Sequence, residues 1–213
     1  MLAGLGWFVM QRQADQAEDD ATAKLKQMGA LVVMDTAQEH AAVVDISRLD
    51  ENFDEALALV GELQELEVLK LNGTKVTDDQ LEGLASIDSL TQLDLNKTQI
   101  TDAGVAKLRG LPVTALYLAE TNVTDDSLED IATMEIVEIL NLTQTDVTGD
   151  LAPLTQMPNL QHLLLKDMTI SDAAVKTMES IPLIRRLTVT GSNVSDDALE
   201  SLKQVKQGIT IDQ

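Results

Sequence analysis

The chain has 213 residues and a formal net charge of −21, with 44% apolar residues but only 2% aromatic ones. This charge argues against nucleic acid or an anionic membrane surface as the main partner, because their phosphates would be repelled. The sequence contains no cysteine, which excludes disulfides, thiolate metal sites and cysteine nucleophiles. With so few aromatic rings, we expect a core of aliphatic side chains stacked in similar units.

Residues 1–10 (MLAGLGWFVM) form an apolar segment that Gln11 and Arg12 follow. A membrane-spanning helix needs about 20 apolar residues, and the segment lacks the basic start and small-residue cleavage site of a signal peptide. Two interpretations stay open. The segment is either the end of a longer membrane anchor, which would place the rest outside the cytoplasm, or an apolar stretch that packs on the rest of the chain. We expect no other contact with a membrane.

Residues 11–40 are predicted to contain a helix and the first strand. Residues 11–28 are rich in Ala, Gln, Glu and Lys and free of Pro and Gly, which predicts a helix that ends at Gly29. Two short runs with β propensity follow, at residues 30–35 and 41–46. We expect residues 11–40 to cover the first layer of the regular part of the chain.

One pattern occurs six times between Leu66 and Val205, at steps of 23 or 24 residues. It reads L-x-x-L-x-L-x-x-T-x-[VI]-[TS]-D-x-x-[LV]-x-x-L, and the copies begin at Leu66, Leu90, Val113, Val137, Leu160 and Ile184. A degenerate copy precedes them at residues 41–65, and residues 208–213 predict the strand of an unfinished one, either blunted by Asp212 or exposed. Such a period indicates a solenoid, in which each unit buries its apolar face against its neighbours. We expect the array to span residues 41–213.

Each unit predicts one strand and one short helix. The L-x-L pairs alternate with period two, as in strands with one buried face, and the L-x-x-L spacing after them is helical. The predicted fold is therefore α/β: a right-handed solenoid with a parallel sheet on its concave face and short helices on its convex face. The fourth unit departs at residues 148–150 and contains Pro153, which predicts a tight turn or a 3₁₀ helix instead.

Hydroxyl residues stand at two fixed places in the units. A Thr or Ser in the turn after the strand is expected to bind the backbone of that turn, and Met168 takes this place in the fifth unit, which predicts a looser turn there. A second Thr or Ser precedes an aspartate, which predicts an N-cap and an acid in the first helical turn. These pairs begin at Thr77, Thr101, Thr124, Ser171 and Ser195.

The repeated pattern resembles the leucine-rich repeat family, and about three-quarters of the chain carries it. The T-D-x-x-L helix start is similar to the cysteine-containing subtype, with Thr in place of Cys. The fourth unit is similar to the shorter internalin-type repeat. The order of apolar start, helix, short strands and T-D repeats resembles bacterial leucine-rich repeat proteins of unassigned function. The resemblance implies the solenoid and a binding surface, and it implies no particular ligand.

Few residues suggest catalysis or metal binding. His40 and His162 are far apart in the chain, and no nucleophile motif lies near either. The aspartates at the helix starts are the candidates for calcium, which prefers clustered carboxylates, but helix capping explains each of them. We therefore expect no enzyme activity, no cofactor and no metal.

The concave face is the better candidate for function, because the curvature of a solenoid creates an extended binding surface there. The only tyrosine, Tyr117, falls at its centre among small and aliphatic residues, and His162, Lys166 and Arg186 are expected to form a basic spot beyond it. Aromatic and arginine anchors are typical of interface hot spots. The predicted binding residues are Lys70, Asp94, Tyr117, Ile139, Asn141, His162, Leu164, Lys166 and Arg186.

The sequence thus predicts a monomeric, non-catalytic module that binds a protein or peptide. The alternative is a structural spacer at a cell surface without a specific ligand.

Overall fold

The computed structural model describes residues 2–49, 51–148 and 151–213, and their side chains except those of residues 2–9 and 11. Nine strands form one sheet in sequence order, so that each strand lies beside the next strand of the chain. Their bounds are β1 Leu31–Met34, β2 Ala41–Asp45, β3 Val68–Lys70, β4 Gln92–Asp94, β5 Ala115–Tyr117, β6 Ile139–Asn141, β7 His162–Leu164, β8 Arg186–Thr188 and β9 Thr210–Asp212. The predicted α/β solenoid is confirmed.

Seven of the eight strand pairs are parallel, and the exception is the first pair. β1 runs antiparallel to β2, with Val33 opposite Val43. From β2 to β9 the register is uniform. The central residue is a leucine in β3 to β8, and each of these leucines lies beside the next, as Leu69 does beside Leu93. These leucines are fully buried, and together with the helices' apolar residues they form one continuous core.

The convex side carries a mixture of short α-helices and 3₁₀ helices. The α-helices of the array are α2 Phe53–Val60, α3 Asp102–Lys107, α4 Leu128–Ala132, α5 Asp172–Met178 and α6 Asp196–Val205, and the 3₁₀ helices are Asp78–Ser86, Asp125–Ser127 and Ala152–Gln156. The 3₁₀ helix predicted for the fourth unit is confirmed, with Pro153 in its first turn. Residues 149 and 150 of that unit's predicted turn lie outside the described residues.

The N-terminal helix α1 is longer than the sequence predicts, spanning Leu2–Gln27 instead of beginning at residue 11. Its second half packs on the array through the buried Ala21 and Leu25, whereas Met10 is 72% exposed. Met1 and the side chains of residues 2–9, on which both interpretations of the apolar segment depend, lie outside the described residues. Within the described part of the chain, none of the helices combines the length and apolarity needed to cross a membrane.

A buried carboxylate attaches α1 to the first two strands. Glu18, only 2% exposed, accepts hydrogen bonds from the Ala41 backbone N–H at 3.2 Å and pairs with His40 Nδ1 at 2.9 Å. The Glu18 side chain raises the pKa of His40, because a carboxylate favours the charged imidazolium. The cap is therefore held by a partly buried charge pair as well as by apolar packing.

Four turn hydroxyls bind the backbone of their own turn as predicted, whereas Ser192 of the sixth unit binds the turn of the fifth unit instead. Thr74, Thr98, Thr121 and Thr145 each donate to the carbonyl three residues earlier, at 2.6 to 2.7 Å. In the fifth unit the Leu165 carbonyl accepts instead from Ser192 of the next unit, at 2.6 Å. The Ser192 Oγ also accepts from the Met168 N–H. The looser turn was predicted because Met168 cannot bind the backbone. Ser192 makes these bonds in its place, so that reason does not hold.

Each repeat turns away from its strand through a residue in the left-handed conformation. This residue has a positive φ in all six units: Gly73, Lys97, Glu120, Gln144, Asp167 and Gly191. The backbone N–H groups of the non-glycine members donate to carbonyls of the following unit, as Lys97 does to Ala119 at 2.7 Å. These bonds continue the sheet ladder past the strands and hold a conformation that side chains rarely adopt.

The aspartates of the T-D pairs join one repeat to the next. Asp102 accepts from both the backbone N–H and the hydroxyl of Thr124, each at 2.8 Å, and Asp78 contacts Thr101 in the same way. Among the described residues, this series contains Asp78–Thr101, Asp102–Thr124, Asp125–Thr148 and Asp172–Ser195, and we call it the aspartate ladder. Capping within each unit was therefore an incomplete explanation of these residues.

Candidate binding face

The outward side chains of the sheet form two straight columns because the parallel strands are in register. The first column runs Val33, Val43, Val68, Gln92, Ala115, Ile139, His162, Arg186 and Thr210. The second runs Leu31, Asp45, Lys70, Asp94, Tyr117, Asn141, Leu164, Thr188 and Asp212. Eight of the predicted binding residues lie in these columns, and Lys166 lies two residues beyond β7. All nine therefore share the concave face.

The centre of the face is an apolar cluster that we call the tyrosine patch, formed by Tyr117, Ile139 and Leu164. They lie on the neighbouring strands β5, β6 and β7, and each is half-buried. Burial raises the pKa of Tyr117, and the nearby Asp94 carboxylate adds to this rise. The phenol is therefore neutral at physiological pH and offers an aromatic ring with a polar tip.

Asp94 and Asn141 flank Tyr117 in the second column and also stabilise the backbone. The side-chain oxygen of each accepts from the N–H two residues later, Asn96 and Thr143, both at 3.0 Å. Such Asx contacts fix the end of a strand. Burial also raises the pKa of Asp94, although the Asn96 bond opposes the rise. Asp94 thus has a structural role in its own strand.

The basic spot expected beyond the centre is largely neutralised. Arg186 Nε donates to Asp212 Oδ2 at 2.8 Å, and Thr188 connects that carboxylate to His162, with both contacts at 3.2 Å. Burial, followed by the Arg186 charge, lowers the pKa of His162, so its imidazole is neutral at pH 7. Lys166 remains an exposed cation. Asp212, which was not among the predicted binding residues, therefore offsets the charge of Arg186.

Comparisons with known proteins agree on the type of repeat. A family profile described as "Leucine Rich repeat" matches residues 88–108. Internalin C2 of Listeria monocytogenes superposes with a TM-score of 0.58 at 22% identity, over 80% of each chain. The chain has the leucine-rich repeat fold.

Two further structures share this fold over part of their own length. A second internalin of Listeria monocytogenes superposes with a TM-score of 0.56 at 18% identity, over 73% of this leucine-rich repeat chain and 49% of its own. A leucine-rich repeat protein of Leptospira interrogans does so with a TM-score of 0.51 at 17% identity, over 73% and 45% respectively. No sequence in the curated set of proteins matches. At these identities the likeness shows the fold alone.

The structure adds a second apolar cluster to the face of this leucine-rich repeat protein, which was not predicted from the sequence. Val33, Val43 and Val68 lie side by side on β1, β2 and β3 at the head of the first column, and we call them the valine patch. Val33 is 46% exposed, and Leu31 beside it is 59% exposed. The sequences of β1 and β2, LVVM and AAVVD, do not alternate between polar and apolar residues, so the outward position of Val33 and Val43 follows only from the pairing of the two strands.

The residues considered for catalysis or metal binding are either far apart or hydrogen-bonded within the protein. His40 pairs with Glu18 in the cap and His162 lies on the face, so the two histidines remain apart. The aspartates of the ladder accept hydrogen bonds from Thr and Ser of the next repeat. Across the described residues, no three side chains of the metal-binding types converge on one point.

Proposed function

We propose that this leucine-rich repeat protein is a non-catalytic module that binds a protein or peptide on its concave face. The observation that carries the proposal is the tyrosine patch, in which the only Tyr of the chain is followed on the next two strands by two half-buried aliphatic residues of an open sheet. Aromatic residues surrounded by apolar contacts are the usual anchors of protein interfaces. The proposed contacts with the ligand are the nine predicted residues. Tyr117, Ile139 and Leu164 are the anchors, and the polar residues form the rim around them.

The charges of the face differ from those of the whole molecule, and this supports a protein or peptide ligand. Three carboxylates and three cations occupy the outward positions: Asp45, Asp94, Asp212, Lys70, Lys166 and Arg186. The face is thus balanced while the chain carries −21. The large negative charge elsewhere disfavours nucleic acid and self-association, so we propose a monomer in solution.

We propose a separate role for each part of the chain. Residues 41–213 act as the repeat array, and residues 11–40 act as its N-terminal cap, covering the first layer of the core through Ala21 and Leu25. We assign no role to residues 1–10 beyond the helical backbone of α1.

A displayed library of linear random peptides tests the function. We expect the full chain to enrich peptides. The double substitution Tyr117→Thr and Leu164→Thr in the protein should lower its affinity for a synthetic copy of an enriched peptide about tenfold or more, because it removes the aromatic anchor. Threonine suits these positions, because Thr188 occupies the same column in β8.

The matched control is Leu183→Thr, which removes an exposed aliphatic side chain from the turn before β8, outside the two columns. The control should leave affinity unchanged. If no peptide is enriched, or if the double variant binds as tightly as the original chain, the concave-face proposal fails and the spacer interpretation replaces it.

A further inference from the structure

The concave face carries two apolar clusters, and the one at its N-terminal end extends beyond the regular repeats. The valine patch lies on β1, β2 and β3, so the capping strand β1 contributes to it directly. In the first column only Gln92 interrupts the apolar series between Val33 and Ile139. The two patches are thus continuous parts of one surface.

The strand order determines the distance between the patches. The valine patch is centred on β2 and the tyrosine patch on β6, which lie four strand steps apart. Neighbouring strands are separated by roughly 4.8 Å, so the centres are about 19 Å apart. An extended peptide advances about 3.3 Å per residue and would span this distance with roughly six residues.

Between the two patches lies a carboxylate without an ion-pair partner. Asp94 is half-buried beside Tyr117, and the positive charge that acts on it is that of Lys70. Within the described part of the chain, Asp94 is in none of the ion pairs. A cation delivered by a ligand would therefore find a half-buried carboxylate next to an aromatic ring, which suits a lysine or arginine side chain.

We propose that the ligand is an extended segment of a partner protein, with two apolar side chains about six residues apart and a basic side chain between them. One apolar residue contacts the valine patch, the other contacts the tyrosine patch, and the basic residue faces Asp94. This inference rests on the proposed function and adds the chemistry and spacing of the ligand. The net charge of −21 favours such a cationic segment and disfavours a second copy of the chain on the same surface.

The peptides enriched from the random library test the spacing and composition directly. We expect their aligned sequences to show two apolar positions separated by about six residues, with Lys or Arg between them. A synthetic consensus peptide should lose affinity about fivefold or more on the double substitution Val33→Thr and Val43→Thr. Val205→Thr is the matched control, because Val205 is 55% exposed on α6, away from the face, and should have no effect.

Asp94→Asn tests the basic residue while keeping the backbone contact, because Asn141 makes the same contact in β6. It should weaken binding about threefold or more at low salt and reduce the salt dependence. Asn141→Asp, the reverse change on the other side of Tyr117, should not weaken binding of the basic peptide.

The outcomes separate this inference from the proposed function. If the Tyr117 and Leu164 substitutions weaken binding while the Val33 and Val43 substitutions do not, the two-patch ligand is wrong and the concave-face function stands. If the enriched peptides lack a basic residue, or if Asp94→Asn leaves their affinity unchanged, the proposed contact between a basic residue and Asp94 is wrong. If the valine double variant melts at a lower temperature, Val68→Thr replaces it and must give the same loss. If no peptide binds, both the proposed function and this inference are wrong.

Discussion

At the scale of single residues, the repeat tolerates side chains where glycine would be expected. The residue three positions beyond the end of the strand has a positive φ in all six units, yet only Gly73 and Gly191 are glycines. The backbone bonds to the next unit impose the conformation regardless of the side chain. The sequence did not predict this position, because Lys97, Glu120, Gln144 and Asp167 give no sign of a left-handed backbone.

Gln144→Gly should stabilise the protein. The left-handed conformation, with φ 54° at Gln144, costs an ordinary residue about 1–2 kcal/mol, and glycine loses about 0.5–1 kcal/mol of this gain through its freedom in the unfolded chain. We expect a net increase of roughly 0.5–1 kcal/mol in the free energy of unfolding, measured by urea denaturation.

Gln99→Gly is the matched control, because Gln99 is an exposed glutamine of the array without a positive φ. It should be neutral or destabilising. An equal stabilisation by both substitutions would show that the positive φ is not the cause.

At the scale of elements, the helix starts act between repeats as well as within them. Three of the four aspartates, Asp78, Asp102 and Asp172, bind the Thr or Ser that caps the next helix, so these T-D pairs serve two neighbouring units at once. The sequence suggested only the cap, because a spacing of 23 or 24 residues shows that two positions are equivalent but not that they touch. Gly104 belongs to the same arrangement, since a Cβ there would meet the Asp78 carboxylate.

Asp102→Ala should destabilise the array by about 1–3 kcal/mol, because it removes two charge-assisted bonds to Thr124 that are partly shielded from water. The measurement is again the free energy of unfolding in urea. Asp126→Ala is the control: Asp126 is an acid in the first turn of its helix, but exposed and outside the ladder. Its loss should cost no more than about 0.5 kcal/mol. Equal losses in the two variants would assign the whole effect to the helix dipole.

The attachment of α1 should weaken as pH rises. The pKa of His40 in the folded protein lies above its ordinary value of 6.5 because of Glu18. The stabilisation by the charged pair is therefore fully present below pH 6.5 and is lost as pH rises through the higher folded value. The nearby charges of Glu65 and Asp35 act in the same direction on the pKa of His40.

Hydrogen exchange of the α1 amides near Ala21 and Leu25 measures this effect. After correction for intrinsic rates, protection should fall between pH 6 and pH 9, whereas in His40→Gln it should be independent of pH. Identical pH profiles for the two proteins would contradict a role of the Glu18–His40 pair.

At the scale of the whole molecule, the repeat period predicted most of the fold because equivalent positions occur six times in the sequence. Each L-x-L pair supports the others, so the parallel sheet, its order and the convex helices were predictable. The antiparallel β1 was not, because ALVVM is apolar throughout and the facing of its side chains depends on its register with β2. For the same reason, the valine patch was not predicted. The contribution of Asp212 to the face was not predicted either, because it depends on the contact of Asp212 with Arg186.

The most direct measurement of binding on the concave face is a titration of the isotopically labelled full chain with an enriched peptide, followed by amide chemical shifts. We predict that the largest shifts map to the strands that carry Val43, Asp94, Tyr117 and Leu164, with the convex helices α3 to α6 little affected. Shifts concentrated on the convex helices or the turns, with the strands unchanged, would contradict binding on the concave face.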